Sequence, residues 1–312
     1  MAATCDPDPS PGRKSGARSA VPNKLVKHGY WWWSLPALAA ILAIHYIATG
    51  VGFMYSFTDY EGIGEFNWVG FDNYTKILDD TEVTSSIGNT FFIAIFSFVL
   101  TNVIGLLLAL ALNRGLKTRY LLRTLLFLPV ILSTIAVSYI FRFIFYIEGP
   151  INSFLAAVGL QDLQRTWLAD DKWSIWVILI VVVWQNIGFA MVIYLAGLAT
   201  VPQELEEAAA IDGAGVWRRF TSVTVPMIQP AIAVSTTLSI IQGMKIFDQV
   251  IAMTGGGPFG ATETLSTQIY HKTFEYMQYG YGSSISMVFT VVILIMALIQ
   301  SWLTRDRSGV NK

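Results

Sequence analysis

Six long apolar runs constrain this chain more than any other feature. A hydrocarbon core of about 30 Å is crossed by about 20 residues of helix. Residues 31–57, 89–112, 121–147, 173–200, 227–253 and 283–304 each reach that length. In lipid no backbone N–H or C=O can be left unpaired, so each run must be helical. The predicted fold class is an all-α integral membrane protein with six transmembrane helices. Charges inside the runs are few: Arg142 and Asp248 lie near ends, and Lys245 is the deepest.

Composition agrees. Apolar residues make up 54% of the chain, charged residues 13%, and mean hydropathy is +0.54. Soluble domains carry about 25% charged residues. A net charge of −1 gives no reason to expect a nucleic-acid partner. The single cysteine, Cys5, excludes an internal disulfide. His28, His45 and His271 lack ligand spacing, so no metal site is expected. No G-x-x-x-x-G-K-[ST] loop occurs and no nucleophile–base arrangement stands out. We therefore expect no catalytic residues in this chain.

The first run is too long for the apolar core of a signal peptide and is read as an uncleaved anchor. Lysine and arginine placement sets orientation. With the N-terminus in the cytoplasm, fourteen basic residues fall inside, among them Arg13, Lys14, Arg18, Arg114, Arg123, Arg218, Arg219 and Arg305. Only Lys76, Arg142, Arg165, Lys172 and Lys272 fall outside. Both termini are therefore expected in the cytoplasm. Trp31, Trp32, Trp33, Trp173 and Trp302 lie at span ends, as interfacial anchors do. Pro36, Pro129 and Pro230 are each expected to kink a helix.

One inside loop, residues 201–226, differs from the rest. Pro202 suits a first helical position, and Glu204, Glu206 and Glu207 favour the positive end of a helix. Leu205, Ala208, Ala209 and Asp212 share one face, and Gly213 can end the helix in the left-handed conformation. A second short helix, 215–224, is expected to stop at Pro226. The product is a helix–turn–helix elbow at the cytoplasmic surface. Its small alanines would let another protein approach closely. A plain interfacial amphipathic loop fits the same residues.

Glu207-Ala208-Ala209, Gly213, Val223 and Pro226 together resemble the signature of permeases of binding-protein-dependent ABC importers. Asp212-Gly213-Ala214 with Pro226 and Pro230 is similar to the carbohydrate branch, the maltose- and glycerol-phosphate-type permeases. Phe247-Asp248, Met253-Thr254-Gly255-Gly256-Gly257-Pro258 and Thr264-Leu265 resemble that branch after its fifth helix. Val69-Gly70-Phe71 with Asn73-Tyr74, and Arg123-Thr124 through Pro129, add to it. The resemblance covers about residues 30–304. Val223 departs from the family's usual isoleucine, and no large external insert is present.

The resemblance implies a permease subunit of an ABC importer that moves a sugar across the inner (plasma) membrane of a prokaryote. It implies a second permease subunit, two ATPase subunits and an external substrate-binding protein as partners. ATP and magnesium would be bound by the ATPase, and no cofactor by this chain. It gives Glu207 a polar contact to the ATPase, Ala208 and Ala209 a close-packed face, and Asp212, Gly213 and Ala214 the turn. The organisation then reads as a disordered cytoplasmic tail 1–28, a first transmembrane helix 29–57, an external loop 58–87, a permease core 88–304 with coupling loop 201–226 between helices 4 and 5, and a tail 305–312.

Polar residues at membrane depth mark the substrate zone. Gln185, Asn186 and Gln242, with Phe189 as an aromatic face, would suit an uncharged polyol. Interhelical hydrogen bonding fits them equally. Lys245 and Asp248 either pair on one face or leave Lys245 free for a phosphate or sulfonate, which keeps a glycerol-phosphate-type substrate open. An ion-coupled carrier is the rival class. It should show buried carboxylates and a repeated half, and neither is visible.

Overall fold

Hydroxyls point inward and aliphatic side chains outward along the longest helix, the reverse of a soluble core. In the computed structural model, which describes residues 23–113 and 117–304, this helix is α4, Thr81–Leu112. Ser86, Thr90, Ser97, Thr101 and Asn102 are buried on one side, while Ile95, Val99, Val103 and Leu107 are exposed on the other. Lipid tails are as apolar as leucine, so packing and internal hydrogen bonds, not hydrophobic burial, hold such helices together. Cys5, most of the 1–28 tail, Arg114 and the 305–312 tail lie outside the described residues.

The chain divides after Val51 into two units. In the first, α1 (Asn23–Ile41) contains Pro36 and runs through a π turn into α2 (Ala48–Tyr55). In the second, α3 (Asp72–Asp79) precedes α4, and Asp80 caps α4 by accepting from the N–H groups of Glu82 and Val83 at 3.0 and 3.2 Å. α5 (Arg119–Ile131), α6 (Thr134–Ile144), α7 (Pro150–Ala157) and α8 (Ser174–Leu198) follow. The elbow is α9 (Gln203–Ile211), α10 (Val216–Arg219), a π turn and α11 (Val225–Met227). α12 (Gln229–Met244), α13 (Asp248–Met253), α14 (Leu265–Tyr270) and α15 (Tyr279–Leu303) complete it.

Four helices are long and apolar enough to cross a membrane, and six if each of two bent pairs counts as one span. α8 is central, packing on α4, α5 and α12. Close approach depends on missing side chains: a Cβ on Gly188 would lie 2.1 Å from the Leu126 carbonyl oxygen, and one on Gly243 2.8 Å from Ala94 Cα. At the centre the Asn102 Oδ1 accepts from Tyr194 OH and Ser235 Oγ, both at 2.7 Å, joining α4, α8 and α12. At the end where α4 begins, Lys272 donates to Asp80 at 3.1 Å and to Glu82 at 2.9 Å, and Tyr281 donates to Asp80 at 3.0 Å.

The third and fifth runs are not single helices. The third bends by 98° between α5 and α6. Pro129 has no N–H, and the helix ends at Leu132, three residues on. The fifth run is interrupted at residues 245–247, and a 74° bend at Ile228 precedes it. Pro230 sits in the first turn of α12, two residues after that bend, where its missing N–H would have had to bond back across it. Pro226 sits likewise at the start of α11, so helical backbone runs on to Met227 instead of stopping. Pro202 is extended, with ψ 128°, and caps α9 rather than starting it.

Candidate functional site

The two interruptions meet. α12 ends because Lys245 leaves helical geometry (ψ 17°) and Phe247 does not restore it (φ −139°, ψ −60°). The freed Ile246 carbonyl accepts from Thr264 Oγ1 at 3.1 Å. The freed Leu132 carbonyl of the third span accepts from Gln185 Nε2 at 3.3 Å, and Gln185 Oε1 accepts from Gln249 Nε2 at 3.4 Å. Irregular backbone at membrane depth survives where side chains re-satisfy it and a cavity lies beside it.

That cavity has a volume of about 510 Å³, within the range of about 300–1,000 Å³ typical of small-molecule sites. Gln185, Asn186, Gln242, Lys245 and Asp248 line it, with Thr134 and Gln249 beside them. Phe189 is half-buried and lies outside this lining. Gln185 is 5% exposed and already bonded, so it holds the break in place. Asn186 donates to the Val182 carbonyl of its own helix at 2.8 Å, leaving its oxygen to face the cavity. Gln242, Lys245 and Asp248 are exposed.

Lys245 and Asp248 do not pair with each other among the described residues. Each instead sits at a helix end whose partial charge suits it. Lys245 follows the negative C-terminus of α12, and Asp248 opens the positive N-terminus of α13. The break thus displays one cation and one anion, separately, toward the cavity. Gln249 and Thr134 escaped sequence reasoning, and Thr264 entered it only through the resemblance, without its role at the break. Their roles depend on partners far along the chain, and a lone threonine or glutamine carries no spacing signal.

The elbow is largely exposed. α9 ends in a Schellman motif, with Gly213 at φ 77°, Ala214 N–H bonded to the Ala209 carbonyl at 2.9 Å and Gly213 N–H to that of Ala210 at 3.1 Å. Glu207, Ala208, Asp212 and Gly213 are exposed; Ala209 and Ala214 are half-buried. Glu207 accepts from Gln203 at 2.7 Å, and Glu206 accepts from Thr224 at 3.1 Å, bracing α9 against the turn that follows. Ile211 and Trp217 are 87% and 75% exposed, beside Val216 and Leu205. The elbow thus carries an apolar surface that no described residue of its own chain covers.

Residues 101–309 match the model of the binding-protein-dependent transport system inner membrane component family. The chain belongs to this family. It is 32% identical over 286 residues to a probable starch degradation products transport system permease protein of Thermoanaerobacterium thermosulfurigenes, covering 91% of this chain and 97% of that one. It is 34% identical to a trehalose/maltose transport system permease protein of Thermococcus litoralis, covering 85% and 90%. Its fold is similar to that of a chain in the crystal structure of a bacterial ABC transporter involved in alginate import, with a TM-score of 0.78, 23% identity and coverage of 91% and 98%. This family member is a transport permease, and its nearest features are those of sugar ABC transport permeases.

Proposed function

We propose that this chain is one permease subunit of an ATP-driven importer that carries a sugar across the plasma membrane of a prokaryote. The observation that carries this reading is the polar cavity at the meeting of two broken spans. Discontinuous helices beside a midmembrane cavity are a recurring device of transporters. Asn186, Gln242, Lys245 and Asp248 contact the solute. Carboxylate, amide and ammonium groups together suit dense hydroxyls. Gln185 positions the break and Phe189 supports the wall. The sugars named for the relatives, starch degradation products and trehalose or maltose, favour an oligosaccharide or sugar derivative.

The chain crosses the membrane six times with both termini in the cytoplasm, counting each bent run once. The elbow is the coupling helix. Ala208 and Ala209 give a flat, close-packing face, Glu207 a polar contact, and Asp212, Gly213 and Ala214 the turn that fixes its angle. One of two ATPase subunits seats there, and ATP with magnesium is bound and hydrolysed by that pair. A second permease subunit completes the pathway as a heterodimer, and an external binding protein delivers the solute. No metal or cofactor belongs to this chain. The separate, unpaired Lys245 favours a second reading on the solute alone, a glycerol-phosphate-type anion.

The test is reconstitution of the full assembly in lipid vesicles, with uptake of labelled neutral and anionic sugars measured against ATP hydrolysis. Asn186→Ala and Gln242→Ala should lower uptake about tenfold, the cost of one or two polar contacts, while the ATPase stays bound. Lys245→Gln should spare a neutral sugar and abolish uptake of an anionic one. Uptake driven by an ion gradient without ATP would overturn the reading.

A further inference from the structure

A narrow crevice leads off the cavity at the broken spans and runs between α4, α8 and α12. Val182, Asn186 and Gln242 line both spaces, while Ser97, Thr101, Ser239 and Gly243 line the crevice alone. It leaves about 10 Å³ for the centre of a water-sized group, which is room for one oxygen atom. Gly243 keeps it narrow. A Cβ there would lie 2.7 Å from the Ser97 Oγ, so α4 and α12 approach closely beside it. Two of the lining hydroxyls donate to carbonyls of their own helices, Ser97 to Ala94 at 3.2 Å and Ser239 to Ser235 at 2.7 Å. Thr101 behaves differently. It is 3% exposed, its hydroxyl has no hydrogen-bond partner among the described residues, and the surface it keeps is on the crevice. A buried hydroxyl left without a partner is costly, and here its open side is a space that one polar atom fills.

The chemistry of the lining selects the guest. Thr101 can donate one hydrogen bond and accept others. Ser97 and Ser239 have given their protons to carbonyls and can only accept, and the Asn186 oxygen, whose amide is bonded to Val182, accepts as well. Gln242 brings an amide that does both. No charged side chain lines the crevice. An ammonium could not take the Thr101 proton, and a carboxylate or phosphate oxygen could not donate to the serine and asparagine oxygens. The group that satisfies both is neutral, holds one oxygen, and donates and accepts at once. That is a hydroxyl, either of water or of a solute in the adjoining cavity.

We propose that Thr101, with Ser97 beside it, reads one hydroxyl of the sugar, so that α4 joins α8 and α12 in setting specificity. The proposal rests on the importer reading of the adjoining cavity. A solute lacking that hydroxyl leaves room for a water in its place, so the discrimination is that of one hydrogen bond, about tenfold. The test uses the complete assembly with its binding protein in lipid vesicles. The probes are labelled maltose and trehalose and their monodeoxy analogues, with one hydroxyl at a time replaced by hydrogen. For each analogue, kcat/KM for uptake is divided by that of its parent, in the wild type and in Thr101→Val, which keeps the shape and loses the hydroxyl. The binding protein is the same in both, so its own preferences cancel. At one hydroxyl position the ratio should rise about tenfold in Thr101→Val, and at the others it should not move. Thr101→Ser should keep the wild-type ratio, and Ser97→Ala should shift the same position by about threefold. Unchanged ratios at every position in Thr101→Val, whether or not its uptake falls, mean that the crevice holds water only and overturn the proposal while leaving the importer reading intact. If Thr101→Val does not assemble, unchanged ratios in Ser97→Ala overturn it equally. ATP-driven uptake of neither sugar by the wild type counts against the reading of the solute itself and withdraws the proposal with it.

Discussion

The two aqueous ends of this bundle are finished in opposite ways. At the end where α4 begins, charges are tied to one another across long stretches of chain. Lys272 holds Asp80 and Glu82, Tyr281 adds a third bond to Asp80, and Asn89 pins the loop that carries Glu263. At the elbow, Ile211, Val216 and Trp217 stand exposed, and the side-chain bonds of α9 stay within the elbow. A surface that satisfies itself serves stability. A surface left apolar and uncovered at the water boundary is explained by something that covers it.

This contrast breaks most sharply at the elbow. Ala209→Arg should reduce uptake by more than tenfold and strip the ATPase from purified permease, yet leave the melting temperature of the permease unchanged. Lost stability with retained ATPase would mean the elbow is structural. The end where α4 begins should behave inversely. Lys272→Ala takes the cation from Asp80, whose side chain is 13% exposed, but leaves its bonds from Tyr281 and the Glu82 and Val83 N–H groups, so the cost is about 2 kcal/mol, that of one hydrogen bond to a charged group. Denaturant unfolding in detergent should show that loss, with uptake falling only as far as folded protein falls. Asn102→Ala, at the centre, strands two hydroxyls and should cost about 1–2 kcal/mol by the same measurement.

Acid and base provide the mildest test. Burial pushes the Asp80 carboxyl up, but hydrogen bonds from Lys272, the Val83 N–H and Tyr281 outweigh it and leave it below the usual range. Its contribution is present above the unfolded value, about 3.9, and is lost as pH falls through the lower folded one. Burial pulls the Lys272 ammonium down, but hydrogen bonds to Glu82 and Asp80 outweigh that and raise it. Its contribution is present below about 10.4 and is lost as pH rises through the folded value. The stability of this end should therefore be flat between those limits. Glu263 runs the other way, because burial raises its carboxyl despite the bond from Thr267 and the nearby His271. An acid raised on folding costs stability at neutral pH, so Glu263→Gln should raise the melting temperature at pH 7 and leave it unchanged at pH below about 4.

Much of this was legible in the residues. The positions of the first, fourth and sixth runs emerged within a few residues, because apolar length is a local property, while the second helix starts eight residues before its apolar run, at the polar turn capped by Asp80. The elbow emerged because Gly213 and the alanines carry their own spacing. The third and fifth runs misled. Pro129 marked a kink, but the 98° bend depends on where the Leu132 carbonyl finds Gln185, 53 residues away. Pro226 looked like a breaker and is not, since it falls at a helix start, whereas Pro230 does mark the 74° bend two residues before it.

By itself the sequence determined the solvent, lipid, and the helical answer to it, because an unpaired peptide group in hydrocarbon is too costly for any other. It also determined which polar residues lie at membrane depth. Only the tertiary structure decided what those residues do. It spent Gln185 on a broken backbone, left Gln242, Lys245 and Asp248 open to a cavity, and set Phe189 behind the wall. The reason is that a cavity belongs to no segment. It exists where two interruptions, far apart in the chain, come to lie against each other.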